Sequence, residues 1–350
     1  MPLIAARVTL RGHDALADST TLFAGLRDRN RLLETVVFAV TLALVAIFSL
    51  TVDGFAARGN LSVILSNSAS LCILSCGMAV VIISRGLDLS IVAVMVAGAT
   101  TYATCVQAGL GGGMALVVTA LVITVVGAIN AWLIAFAELP AMLATLASAM
   151  VVTGLFRFAI LQGEFLILLQ KSNPAVQILT SDILPGVPVT TVAMMAALAA
   201  TWVLLNRTIA GEVIYAMGDN FLAARLSGLP VRPVTILIYV WAALMAMVAG
   251  LLVSSASGAV DFRTVTNGTL LFDVILVVVL GGIPLRGGRG GLRNIILGVA
   301  LIAVLRNGMT LMNVTTQMQD VIKGVVLLIA VAVENFLNPR DIETDTVGDL

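Results

Sequence analysis

The segment Arg85-Gly86-Leu87-Asp88-Leu89-Ser90 places a carboxylate and a hydroxyl two residues apart, between two long apolar runs. A second carboxylate, Asp273, stands inside the apolar run Leu270–Gly282, and an amide, Asn130, follows Gly127-Ala128-Ile129 in another. In apolar surroundings such groups must be satisfied internally, so each marks a route for a polar solute or ion, or an internal bond. Two readings stand for Gly86–Ser90. One is a helix broken at Gly86, with Asp88 and Ser90 facing a pathway. The other is a tight turn with an Arg85–Asp88 pair and an N-cap from Asp88. Asp273 either conducts or pairs with Arg306 or Lys323. Asn130 reads as an interhelical hydrogen-bonding group or a ligand. Asp88, Ser90, Asn130 and Asp273 are the expected pathway residues, whereas Arg157, Lys323 and Glu334 read as structural.

Other chemistry has little footing. His13 is the single histidine and lies in the N-terminal stretch, so no triad is available. Cys72 and Cys76 fall on one helical face and Cys105 lies in another apolar run; small residues in helix packing explain them, and no metal site is expected. Gly281 to Gly291 is rich in glycine and arginine and resembles a phosphate cradle. It lacks the Lys-Ser or Lys-Thr of a P-loop, so any ATP chemistry belongs to a partner and no cofactor is expected. The chain does not read as an enzyme.

These residues must be positioned by elements built for a bilayer. Of 350 residues, 60% are apolar and only 11% charged, with 19 basic against 19 acidic side chains and a mean hydropathy of +1.10. A soluble domain carries about 25% charged residues, and zero net charge gives no field for nucleic acid. Apolar runs at about 32–52, 61–84, 91–108, 114–137, 141–161, 189–206, 234–256, 269–282, 294–312 and 321–337 predict an all-α polytopic membrane protein of about ten transmembrane helices. Threaded from the basic flank Arg27, Arg29 and Arg31, these spans put Arg85, Arg207, Arg225, Arg232, Arg286, Arg289, Arg293 and Arg340 inside. Arg58, Lys171 and Arg263 fall outside. This arginine bias places both termini in the cytoplasm. The chain divides into a cytoplasmic N-terminal tail at 1–31, a transmembrane domain at 32–338 and an acidic cytoplasmic tail at 339–350. The inner loops at about 207–233 and 283–293 are rich in arginine and glycine.

Four motifs then occur in order. Gly86-Leu87-Asp88-Leu89-Ser90 comes first. Leu139-Pro140-Ala141-Met142-Leu143-Ala144-Thr145-Leu146 follows, with Gly154 beyond it. Tyr215-Ala216-Met217-Gly218-Asp219-Asn220 precedes Ala224-Arg225-Leu226-Ser227-Gly228. Asp273 through Gly282 precedes Gly287-Gly288-Arg289-Gly290. Over roughly residues 60–338 the chain resembles the permease subunits of bacterial ABC sugar importers, the branch with the ribose, galactose and autoinducer-2 permeases. It departs from that pattern at Ile91-Val92, Ala131, Phe221, Leu271, Val274, Leu276 and Val277, which makes the late span bulkier and suits one half of a heterodimer.

The resemblance implies import of a monosaccharide or similar small polar solute across a bacterial cytoplasmic (inner) membrane. It implies an ATPase subunit with two nucleotide-binding domains, a periplasmic or extracellular solute-binding protein, and a second permease in a homodimer or heterodimer, all in membrane lipid. It also implies that loop 207–233 holds a short coupling helix. There Gly218, Asn220, Ala223, Ala224 and Gly228 allow close contact with the ATPase, and Arg225 pairs with its acids. The rival reading is a secondary transporter in which Asp88, Asp273 and Glu334 titrate.

Overall fold

A computed structural model of the chain describes residues 33–169, 173–184 and 187–337. The two expected tails and the Glu334 side chain lie outside the described residues. Among the described residues, eight helices are long and apolar enough to cross a bilayer. In chain order they are α1 (Leu33–Thr51), α2 (Arg58–Ile83), α4 (Gly112–Ala135), α5 (Ala141–Ala159), α7 (Val189–Arg207), α10 (Val231–Ser257), α13 (Leu292–Leu311) and α14 (Thr316–Leu337). Two shorter apolar helices, α3 (Ile91–Gln107) and α12 (Thr269–Leu280), complete the set. The ten apolar runs thus appear as ten helices. Twelve residues of α12 rise about 18 Å, short of the ~30 Å hydrocarbon core. The five-residue helix α11 (Arg263–Asn267) before it and the glycine loop after it lie at its two ends.

Cross-links between loops define two ends of the bundle. At one end the turn at 84–90, the α4–α5 connection, the 207–231 segment and the 281–291 loop meet. Tyr215 bonds Gly290, Gly288 bonds Ile83, and Glu138 pairs with Arg225. At the other end β1 (Leu166–Leu168) pairs antiparallel with β4 (Ala259–Asp261). The outer segment also holds α6 (Pro174–Thr180), β2 (Asp182–Leu184) and β3 (Val187–Pro188). These two ends agree with the threading read from arginine distribution, which makes the first the cytoplasmic one.

At the centre stands α10, with α2, α3 and α4 packed around it. Helices in lipid associate by close backbone approach through small residues, because apolar burial gives no net drive there. A Cβ added at Gly250 would sit 2.2 Å from the Met95 carbonyl oxygen, and one at Gly127 would meet Ala243 and Tyr239 of α10. Because α10 wedges between α2 and α3, those two helices splay apart from their connecting turn.

Candidate functional site

The turn joining α2 and α3 is a polar break between two apolar helices. Helix α2 ends with Arg85 in the left-handed region (φ 70°) and with the Gly86 N–H donating to the Val81 carbonyl at 2.9 Å. A helix end leaves carbonyls without intrahelical donors. One of them, the Ile83 oxygen, accepts from Gly288 of the cytoplasmic loop at 2.8 Å. Beyond it, Asp88 Oδ1 accepts from the Ser90 N–H at 2.8 Å and from Ser90 Oγ at 2.5 Å. Ser90 Oγ in turn accepts from Asn130 Nδ2 on α4 at 2.9 Å. Thr145 Oγ1 on α5 accepts from the Leu89 N–H at 3.1 Å and donates to the Ala141 carbonyl at 2.8 Å.

Three of the four expected pathway residues, Asp88, Ser90 and Asn130, therefore form one bonded cluster. Asp88 is 2% exposed, and Ser90 and Asn130 are equally buried inside the single chain. They tie the break to α4 and start α3. The segment is thus a tight turn buried within the bundle, in which Asp88 accepts from Ser90 while Ser90 itself, not Asp88, stands at the N-cap position of α3. Asn130 Oδ1 and the buried Tyr239 Oη have no hydrogen-bond partner within the described chain. A Cβ at Gly86 would come 2.8 Å from that Tyr239 oxygen.

Asp273 is separate. It sits in the outer part of α12, and Lys323 Nζ on α14 meets its Oδ1 at 2.8 Å and Asp320 Oδ1 at 2.9 Å. Of the two partners expected from sequence, Lys323 is the one used. Arg157 stacks over Phe165 at 3.6 Å and donates to the Gly163 carbonyl at 3.0 Å. Cys72 and Cys76 are buried and unbridged. No group of three potential metal ligands occurs among the described residues.

The inner segment 207–231 folds into two short helices, α8 (Ile209–Asp219) and α9 (Phe221–Leu226). Thr208 Oγ1 caps α8 by accepting from the Gly211 N–H at 3.2 Å, and Glu212 in its first turn favours the positive helix end. Asn220 Oδ1 caps α9 from the Ala223 N–H at 2.9 Å. Gly228, at φ +77°, then turns the chain towards α10. Among the residues expected to contact a partner, Asn220, Ala223, Arg225 and Gly228 are exposed, whereas Gly218 and Ala224 are buried. A Cβ at Gly218 would fall 2.0 Å from the Ile83 oxygen and 2.2 Å from the Gly288 nitrogen. Gly218 therefore seats α8 against the α2 turn. Arg225 Nη2 already has a partner in this chain, Glu138 Oε1 at 3.1 Å, which Arg232 also approaches at 3.7 Å. Phe221, Leu222 and Leu226 face solvent, Leu226 at 79% exposure.

Three residues have contacts to which the sequence assigns no role. Glu138 is a lone acid between two apolar runs. Tyr215 donates to the Gly290 carbonyl at 2.8 Å, and burial pushes its phenol up, which keeps it a donor across the physiological range. Tyr239 is the one tyrosine of the α10 run.

Ten apolar helices carrying a capped cytoplasmic arm on a buried turn make this a polytopic, all-α membrane protein. The chain belongs to the family described as branched-chain amino acid transport system / permease component, matched over residues 60–331. It is 32% identical to the ribose import permease protein RbsC of Bacillus subtilis over 291 residues, 83% of this chain and 89% of that one. Against RbsC of Escherichia coli strain K12 the identity is 30%, covering 87% of this chain and 94% of the relative. Against the xylose transport system permease protein XylH of the same strain it is 29%, covering 91% and 95%. No solved structure matches the chain. It is an ABC importer permease, multi-pass in the cytoplasmic membrane.

Proposed function

We propose that this permease carries a monosaccharide, with aldopentoses first among them, and that a separate ATPase drives it through the α8–α9 arm. The pentose reading is supported by the relatives named for ribose and xylose. The ATPase, with two nucleotide-binding domains, binds and hydrolyses ATP, and this chain holds no nucleotide itself. A solute-binding protein delivers the sugar to the outer end, where β1, β4 and α6 lie. A second permease, identical or paralogous, completes the pathway along the apolar faces of α4 and α5, where Leu121, Met150, Val151 and Phe158 are exposed.

The observation that carries the coupling role is the exposed apolar side of α9. Phe221, Leu222 and Leu226 lie on the inner connection between α7 and α10 and are exposed in the single chain, an apolar patch that suits a docking partner. Arg225 and Arg232 flank them, held by Glu138 and able to meet acids on the docked subunit. Movement of the arm has a bonded route inward. Tyr215 holds the 281–291 loop, Gly218 and Gly288 hold the Ile83 end of α2, and the same turn holds Asn130 through Ser90.

Leu226→Glu tests this reading, since its side chain is almost fully exposed and supports no internal packing. The variant is expected to elute as the wild type does but to lose both ATPase co-purification and uptake. Undiminished co-purification and uptake would overturn the docking role.

A further inference from the structure

Two crevices on the cytoplasmic face meet at Gly282. One, of about 420 Å³, is polar and lined by Glu34, Trp202, Asn206, Tyr215, Arg293 and Asn294 among others. The other, of about 270 Å³, is apolar and runs between α1 and α14 past Val37, Val40, Ile329 and Ala330. Both are lined by Gly282, and both begin at the first turn of α1, where Glu34 faces one and Leu33 the other. We propose that the pair forms one binding site for a phospholipid of the inner leaflet with a primary-amine headgroup of the phosphatidylethanolamine type.

Chemistry of the lining selects this occupant. Arg293 makes no ion pair among the described residues, and Glu34 accepts only from the Asn294 amide, at 3.3 Å. A crevice holding one guanidinium and one carboxylate that do not neutralise each other complements a zwitterion: phosphate at Arg293, ammonium at Glu34. A purely anionic headgroup would meet Glu34 unfavourably. A free sugar would leave the adjoining apolar groove unfilled, whereas an acyl chain fits it. The level is also right. Trp202 sits one turn from the inner end of α7 with Arg207 5.0 Å over its ring, a pairing suited to the headgroup layer. Val36, Val40 and Ile329 beside the groove are half-exposed, so it opens towards lipid.

The test uses the full chain, purified with its partners and reconstituted into nanodiscs of phosphatidylethanolamine, phosphatidylglycerol or phosphatidylcholine, with retained lipid counted by native mass spectrometry. The wild type is expected to keep one phosphatidylethanolamine per chain. Arg293→Ala and the groove-filling Val37→Trp should each retain about tenfold less. Glu34→Gln should shift retention towards phosphatidylglycerol. Elution and thermal unfolding of each variant check that the fold is kept. Equal retention of the three lipids, retention unchanged in Arg293→Ala, or occupancy of the crevice by residues 1–32 with no lipid retained would each overturn the site.

Discussion

The N–H of Gly288 donates to the carbonyl oxygen of Ile83 at 2.8 Å, joining a cytoplasmic glycine loop to the last turn of α2. Gly288 is at φ +75°, and a Cβ there would strike Asp219 Oδ1. Loop 281–291, helix α8 and the α2 end are thereby locked at one point. A displacement of α8 is therefore expected to reach the turn in which Asp88 accepts from Ser90.

Gly218→Ala should loosen this lock. The added methyl has no room beside the Ile83 oxygen, and overpacking of this kind costs about 1–3 kcal/mol. Uptake is expected to fall about tenfold while the ATPase still co-purifies. Uptake at the wild-type rate would contradict the lock.

Tyr215→Phe removes a single hydrogen bond, the one to the Gly290 carbonyl. At about 1 kcal/mol the loss should leave the complex assembled. It should raise the ATP hydrolysed per sugar moved by about twofold or more, each kcal/mol being a factor of about five. An unchanged ratio would remove Tyr215 from the coupling route.

Asp88 separates turn bonding from conduction. Asp88→Asn keeps an Oδ1 that can accept from the Ser90 N–H and Oγ, so uptake should stay within about threefold of wild type. Asp88→Ala removes both bonds and should lower folded yield as well as uptake. Abolished uptake in a well-folded Asp88→Asn protein would put the charge itself to work and contradict the bonding role.

Asp273 and Lys323 are both nearly buried, with side chains 7% and 12% exposed. Removing Lys323 strands the buried Asp273 charge, at about 3–5 kcal/mol, whereas removing Asp273 leaves Lys323 paired with Asp320 and should cost less. Lys323→Met and Asp273→Asn should each lower the thermal midpoint of the purified complex, and the double variant should regain part of the loss. Additive losses in the double variant would show that the pair is not coupled.

The spans were legible because hydropathy over a bilayer-length window is a local property, and every apolar run became a helix. Arginine distribution assigned the inner side, and the structure gathers those arginine-bearing loops at one end of the bundle. The choice of Lys323 over Arg306 was not legible, since it depends on the rotation of α14 against α12. Nor was the burial of Gly218, which follows from residues 83, 218 and 288 meeting in space. Asp88, Ser90 and Asn130 were found as polar interruptions, but their bonding to one another needed the packing of α4 on α3. The sequence offers Arg225 to acids of a partner, and only the packing of the α4–α5 connection on α9 brings the lone Glu138 to it.

The most direct measurement is uptake of a labelled aldopentose into proteoliposomes. They would hold this permease with its co-purified ATPase, with the solute-binding protein outside and ATP inside. Uptake that requires internal ATP and persists in a protonophore is the predicted result. Uptake that proceeds without ATP and collapses with the protonophore would contradict it.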